Sequence, residues 1–449
     1  MDSVSLPALD LERSVMRRIR LRILLPVAIL YFIAFLDRAN VAYAKLTMAP
    51  ELGFSEWIYG FGAGLFFVGY LLPEIPGALI VQRWGARRWV TLIMLLWGAC
   101  ALSLGFIHSA ASFYIGRFCL GVAEGGLFPG VIVYLSHWIP ARYGAGAIAI
   151  FTLASPAALA AGGPLAGLLL TIRWMGLSGW RWLSILEAVP ALGFGILTWF
   201  MLPDDPQRVS WLSAGERNWL LNQLHRDNQA HPASSLGELH EIFRSPLVLL
   251  LCVIIFLANV GIQGFFLWVP TTIQRGAGLS ASRASLLSGI PFAIAVISVL
   301  LCSWSSDRSQ RRALHIYLPL LLSGIIFSLT SLDGLRFGWL FFLLCLSGAA
   351  IYGFGPTFYL VPSLILQGRK AAAAVGLVNM FAGLGGFTGP AIAGRMLAVG
   401  YPFSMVVRFL SVCFFLGGAL CFYIRHKIQH RPSDEATQLQ PPLWGKQEI

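Results

Sequence analysis

The chain has 449 residues, of which 57% are hydrophobic and only 12% charged, with a net charge of +12. Soluble domains carry about 25% charged and about 45–50% apolar residues, so a water-soluble enzyme, a disulfide scaffold and a disordered tail protein are excluded. At about 20 apolar residues per bilayer-spanning helix, the stock suffices for about twelve.

Residues 1–21 form a polar, arginine-containing segment, and the apolar run behind it continues as a full span rather than a cleavable leader. Six runs follow at 22–44, 58–81, 89–108, 113–136, 146–171 and 183–202. A polar linker, 203–244, separates them from six more, at 245–270, 284–304, 314–332, 338–365, 371–394 and 401–424, and 425–449 is a polar tail. Backbone groups in lipid find no water, so each run is predicted helical. The expected fold is an all-α membrane protein of twelve transmembrane helices: a six-helix half over 22–202, the linker, and a second half over 245–424. In the linker, Ser213 and Glu216 fit a capping box, and Trp219, Leu220 and Leu224 share one helical face. This predicts an amphipathic helix, packed as a linker or lying on the membrane. The seven cysteines all fall in apolar runs without a CxxC pair, as core residues do.

With the N-terminus inside, Lys and Arg number 22 in cytoplasmic segments, 7 in outer loops and 3 within spans. Cytoplasmic loops collect positive charge. Both termini are therefore placed in the cytoplasm of a bacterial inner membrane, and the +12 reflects topology rather than nucleic-acid binding. The halves repeat: Gln82-Arg83-Trp84-Gly85-Ala86-Arg87-Arg88 is echoed by Asp307-Arg308-Ser309-Gln310-Arg311-Arg312, and Gly163-Pro164 by Gly389-Pro390, at offsets of 225 and 226 residues. Repeated halves around a midplane site are the architecture of secondary transporters.

Charges inside spans are costly and face a bundle interior or a wet cavity. Asp37 and Arg38 lie in the first run, Glu74 in the second, Arg117 and Glu124 in the fourth and Glu187 in the sixth. None is repeated in the second half, where Gln263 and Gly264 stand for Asp37 and Arg38, and Leu343 and Ala350 for Arg117 and Glu124. With a rise of 1.5 Å per residue and a core about 30 Å thick, the run boundaries put Arg38 and Arg117 each about 6 Å from the outer side. Glu124 falls near the midplane, on the face of Arg117. Adjacent helical residues diverge by about 100°, so one of Asp37 and Arg38 faces the cavity and the other a neighbouring helix. A guanidinium grips a carboxylate through two parallel hydrogen bonds, and a buried carboxylate exchanges its proton as its surroundings change. The pattern reads as an anion site with proton-titrating carboxylates; two fixed salt bridges are the alternative. Glu74, beside Pro73 and Pro76, and Glu187, beside Pro190, are assigned to structure, where prolines free backbone groups. Asn379, Asn259 and Gln263 are polar ligands or interhelical contacts from the second half.

The chain resembles the major facilitator superfamily over nearly its whole length and, more narrowly, the anion:cation symporter family of organic-acid permeases. The resemblance rests on Leu36-Asp37-Arg38-Ala39-Asn40, on the run Val81 to Arg88, and on Gly121-Val122-Ala123-Glu124-Gly125-Gly126-Leu127-Phe128-Pro129-Gly130. Gly179-Trp180-Arg181-Trp182, Leu202-Pro203-Asp204-Asp205-Pro206 and Trp211-Leu212-Ser213 complete it. It implies that Arg38 binds the substrate carboxylate, that Asp37 and Glu124 are protonation sites with Arg117 as switching partner, and that Tyr70 and Asn379 line the cavity. The chain departs from the pattern at Gln82, usually Asp, at the arginine-poor Arg142-Tyr143-Gly144-Ala145-Gly146, and at Ala382, where many relatives have Asn.

The expected function is proton-coupled import of a small organic carboxylate, whether a hydroxy-, di-, aromatic or sugar acid, by rocker-switch alternating access. The expected form is a monomer in the lipid bilayer without cofactor or metal. Arg83, Asp307, Arg308 and Arg312, at equivalent loops of the repeat, are the expected inner gate. Export of an organic anion or drug by proton antiport stays open on the Gly163-Pro164 signature. A membrane-embedded enzyme or a non-transporting nutrient receptor are readings of another class. The eight histidines lie at span ends, in loops or in the tail, offering no nucleophile–base pair, and no signalling domain of useful length is appended.

Overall fold

A computed structural model describes residues 6–230, 244–366 and 368–429. All twelve apolar runs are helical. The first span, Leu25–Leu52, continues a helix over Leu6–Ile19 through a π-helical turn, Arg20–Leu24, and ends at Gly53 in the left-handed conformation (φ 65°). The second breaks into Glu56–Leu71 and Glu74–Trp84 around Pro73, which has no N–H for the helical ladder. The third is Ala86–Leu104, and the fourth breaks at Gly125–Gly126 into Ala110–Glu124 and Leu127–Ser136. Ala141–Leu169 and Gly179–Met201 complete the first six. The others are Pro246–Ala277, Ala281–Ser309, Leu314–Leu329, Phe337–Gly353 with Gly355–Ile365, Gly368–Ala398 and Phe403–Gln429. Among the described residues, ten helices are long and apolar enough to cross a membrane. The remaining two runs are the interrupted second span and the 16-residue ninth.

The linker helix forms over Ala214–Ala230. Its capping box closes in both directions: the Ser213 N–H donates to Glu216 Oε2 at 2.9 Å and the Glu216 N–H to Ser213 Oγ at 3.3 Å. Leu220 is fully buried, with Trp219 and Leu224 packed on the same core, so this helix is docked on protein. Glu216 also accepts from Ser14 Oγ at 2.8 Å and pairs with Arg18 at 3.4 Å, which fastens the linker to the N-terminal helix. Burial alone would raise the Glu216 pKa, but the Ser213 N–H, the Ser14 hydroxyl and Arg18 outweigh it and hold the carboxyl below its usual range. Residues 231–243 of the linker and 430–449 of the tail lie outside the described residues.

The first six spans meet the last six along two crossings, the second span on the eleventh and the fifth on the eighth. The repeated Gly-Pro pairs lie in these crossings. A Cβ on Gly163 would stand 2.6 Å from the Ser285 carbonyl and the Gly289 nitrogen, and one on Gly60 would stand 2.4 Å from the Pro390 carbonyl. Only glycine allows backbones this close. At the same end of the bundle Glu56 joins the two sets of spans, accepting from Lys45 Nζ at 2.7 Å and from Arg275 at 3.1 Å. The two sets of spans are therefore tied at the end remote from Arg83 and Arg308.

Candidate functional site

Arg38 sits at the middle of the first span, whose helix runs on to Leu52. Counting from residue 22 across a core of about 30 Å puts Arg38 near the outer side, whereas in the helix that continues to Leu52 it stands at the centre. Glu124 is also mid-span, at the Gly125–Gly126 break. The two therefore meet: Arg38 Nη2 donates to Glu124 Oε1 in a salt bridge whose side chains are 12% and 2% exposed. Glu124 Oε2 is buried without a hydrogen-bond partner among the described residues, as is Arg38 Nε. Span four reaches this position because it packs backbone to backbone on span two. A Cβ on Gly121 would lie 2.0 Å from the Phe66 carbonyl and one on Gly125 2.0 Å from the Tyr70 carbonyl.

Asp37 points the other way, as expected for adjacent helical residues. It is buried, accepting at Oδ2 from Trp97 Nε1 (2.6 Å) and at Oδ1 from Asn40 Nδ2 (3.4 Å). Glu187 is buried nearby, beside Asn40 and Asp37, with neither carboxylate oxygen in a hydrogen bond of good geometry. Arg117 is also buried. It donates from Nη2 to the Ala63 carbonyl at 3.4 Å and forms no ion pair with Glu124 or Asp37, although both lie within its electrostatic reach. Both arginines lie against Phe66, each guanidinium carbon 4.9 Å from its ring centroid. The ring's negative face favours a cation held over it.

The wall around Arg38 is aromatic. Its guanidinium carbon lies 4.4 Å from the Phe35 centroid and 5.1 Å from that of Tyr70. Tyr31 stacks on Phe151 of the fifth span at 4.2 Å, and Phe128 packs on both at 5.9 and 5.8 Å. Sequence reasoning singled out Tyr70 alone from this group; the others were hidden because aromatic residues also serve as ordinary span filling. Asn379 of the eleventh span donates to Glu74 Oε1 across the seam, leaving Glu74 Oε2 buried and unpartnered among the described residues. Glu74 thus faces the other half's Asn379, not a backbone group freed by proline. Asn259 donates to the Ile255 carbonyl of its own helix at 3.3 Å and lies where Gly385 packs, while Gln263 is half-buried one turn on. These two are not joined to the Arg38 cluster by any hydrogen bond among the described residues.

Among the described residues, the expected gate residues share no hydrogen bond or ion pair across the two sets of spans. Arg83 is exposed, Arg308 lies over Trp304 of its own helix at 5.6 Å, and Arg312 donates to Gln310 at 3.4 Å. Asp307 is exposed, and its backbone carbonyl accepts from the Gln310 amide at 2.6 Å.

Residues 27–390 match the family described as Major Facilitator Superfamily. The chain is 38% identical over 391 residues to an Agrobacterium vitis protein named "Putative tartrate transporter", across 86% of this chain and 85% of that one. It is 34% identical over 442 residues to the "Quinolone resistance transporter" of Acinetobacter baumannii, across 97% of this chain and 100% of its relative. Its fold is that of a bacterial homolog of the human lysosomal transporter Spinster, crystallised in an inward-facing, unoccupied conformation. The TM-score is 0.76, over 92% of this chain and 98% of that one, at 18% identity.

Proposed function

This chain belongs to the major facilitator superfamily, and from that premise we propose that it is a proton-coupled symporter importing a small organic carboxylate. The observation that carries the reading is the Arg38–Glu124 pair: a guanidinium held at mid-membrane by a carboxylate with one unpartnered oxygen. A substrate carboxylate that takes Arg38 would leave ionised Glu124 beside it, two negative charges on one cation in a poorly hydrated site. A proton on Glu124 restores the balance, and substrate and proton then travel together. Arg117, buried and without an ion pair, is the cation toward which Glu124 turns once the proton leaves.

The basic end faces the cytoplasm on the asymmetry of Lys and Arg between loops, so both termini are cytoplasmic, and the ties through Glu56 at the far end support an inward-facing state. The six-helix halves rock about the second–eleventh and fifth–eighth crossings. Arg83, Asp307, Arg308 and Arg312 meet when the basic end closes. The aromatic wall formed by Tyr31, Phe35 and Phe151 suits a flat acid, and the tartrate name of one relative supports an organic anion. The quinolone name of another favours a second reading on the same residues, proton-driven export of an aromatic drug.

Purified protein screened by thermal shift against mono-, di- and hydroxy-carboxylates and aromatic acids tests the class. Arg38→Lys, which keeps the charge and loses the planar grip, is expected to fold and to lose the substrate-induced stabilisation. Wild-type binding and transport by Arg38→Lys would make the pair a fixed structural bridge and end this reading. In proteoliposomes, substrate moving with the proton supports import, and substrate moving against it supports export.

A further inference from the structure

Arg13, Arg17, Leu21 and Leu25 recur every four residues from the N-terminal helix into the first span. The π-helical turn Arg20–Leu24 lies within this stretch, and residues four apart share one face of the helix. The result is one stripe, basic outside the span and apolar where the chain enters it. Arg13, Arg17 and Arg20, with Met16, Leu21 and Tyr143 of the fifth span, line a cavity of about 560 Å³. All three arginines are exposed, and none forms an ion pair among the described residues. Their neighbours are already engaged, Arg18 with Glu216 and Arg142 with Glu12. Leu21 and Leu25 are 56% and 48% exposed.

Three uncompensated guanidiniums over an apolar wall, at the level where a span enters the bilayer, complement an amphiphile with an anionic head. We propose that this cavity binds the phosphate of an anionic phospholipid, such as phosphatidylglycerol, with an acyl chain lying along Leu21 and Leu25. Guanidinium pairs read phosphate through parallel hydrogen bonds, and juxtamembrane basic clusters are attracted to anionic leaflets. An adjacent side of the same helix is fastened to the linker through Ser14 and Glu216, so a bound lipid would seat the N-terminal helix between membrane and linker.

Native mass spectrometry of the full chain, equilibrated in micelles with equal phosphatidylglycerol and phosphatidylcholine, tests this directly. The wild type is expected to retain phosphatidylglycerol, and the exposed triple variant Arg13→Gln/Arg17→Gln/Arg20→Gln to retain it about tenfold less, or about 1.4 kcal/mol. Thermal-shift titration is the second readout, with phosphatidylglycerol raising the Tm of the wild type and not of the variant. Equal retention by both proteins, or equal retention of the two lipids, overturns the site. Saturation by inorganic phosphate that abolishes the lipid effect marks a soluble-anion site and overturns the lipid assignment.

Discussion

Asp37 and Glu124 are both buried mid-membrane carboxylates, and their hydrogen bonds divide the work between them. Both Asp37 oxygens already accept hydrogen bonds, from Trp97 and Asn40. Glu124 has one oxygen on Arg38 and one on nothing, so it can take a proton where it stands. Glu124→Gln imitates the protonated form permanently. In proteoliposomes it is expected to lose accumulation driven by a pH gradient by about tenfold or more, the equivalent of about 1.4 kcal/mol. It should retain substrate exchange at equal pH, since binding and rocking need only the neutral form. Normal gradient-driven accumulation by this variant would move the proton to Asp37 or Glu74. The charged residues were legible in the sequence because each one interrupts an apolar run at a cost. Their pairing was not, since it depends on depth, and depth on where a helix ends rather than where hydropathy does. In the helix Leu25–Leu52, Arg38 stands at the middle, not near the end.

Elements carry the site through contacts that tolerate no added atom. A Cβ on Gly121 would stand 2.0 Å from a backbone carbonyl, which no side-chain rotation relieves. Gly121→Ala is therefore expected to push span four off span two, lowering stability by at least about 1–3 kcal/mol and loosening the Arg38–Glu124 pair. Thermal unfolding and substrate-induced stabilisation would both fall, whereas Gly144→Ala, facing open space, should change neither. The glycine clusters were visible as a density of small residues; which carbonyl each one meets was not, because that is set by the partner span. The linker helix was legible from its capping box, a purely local signal, and the N-terminal helix it holds was not, because its arginine-rich sequence reads as a tail. Glu216→Gln should weaken this clasp by about 1 kcal/mol, the usual worth of a cap, detected as faster amide exchange over Leu6–Ile19 and Ala214–Ala230. Because the folded Glu216 pKa lies below its ordinary 4.5, the clasp is complete at neutral pH. It is lost only as acid titrates the carboxylate through that depressed value. Wild-type exchange should therefore approach that of Glu216→Gln only on strong acidification.

At the scale of the molecule, two similar halves hold an asymmetric set of charges, and the ends of the bundle differ in how they are closed. The repeat in the loops and Gly-Pro pairs made the duplication legible. The latch at the closed end was not, because Lys45, Glu56 and Arg275 stand at span ends, where charges are ordinary. Glu56 is the shared acceptor of the three, with Lys45 from its own side and Arg275 from the other. Lys45 is nearly buried, its ammonium 4.5 Å from the Tyr59 centroid and 4.9 Å from that of Trp268, so its charge depends on Glu56. In the alternative state, open at this end, these groups are hydrated and owe less to one another. Glu56→Gln should therefore destabilise the closed end selectively, by about 1–2 kcal/mol, shifting the two populations by about 5–30-fold. Spin labels at Met175→Cys and Tyr401→Cys, both exposed at that end and one in each half, should report a longer distance in the variant. Arg275→Gln should shift the distribution less, and its effect should fade with salt, because Arg275 is 56% exposed and screened. Identical distance distributions for wild type and Glu56→Gln would mean that the glycine crossings alone hold this end shut.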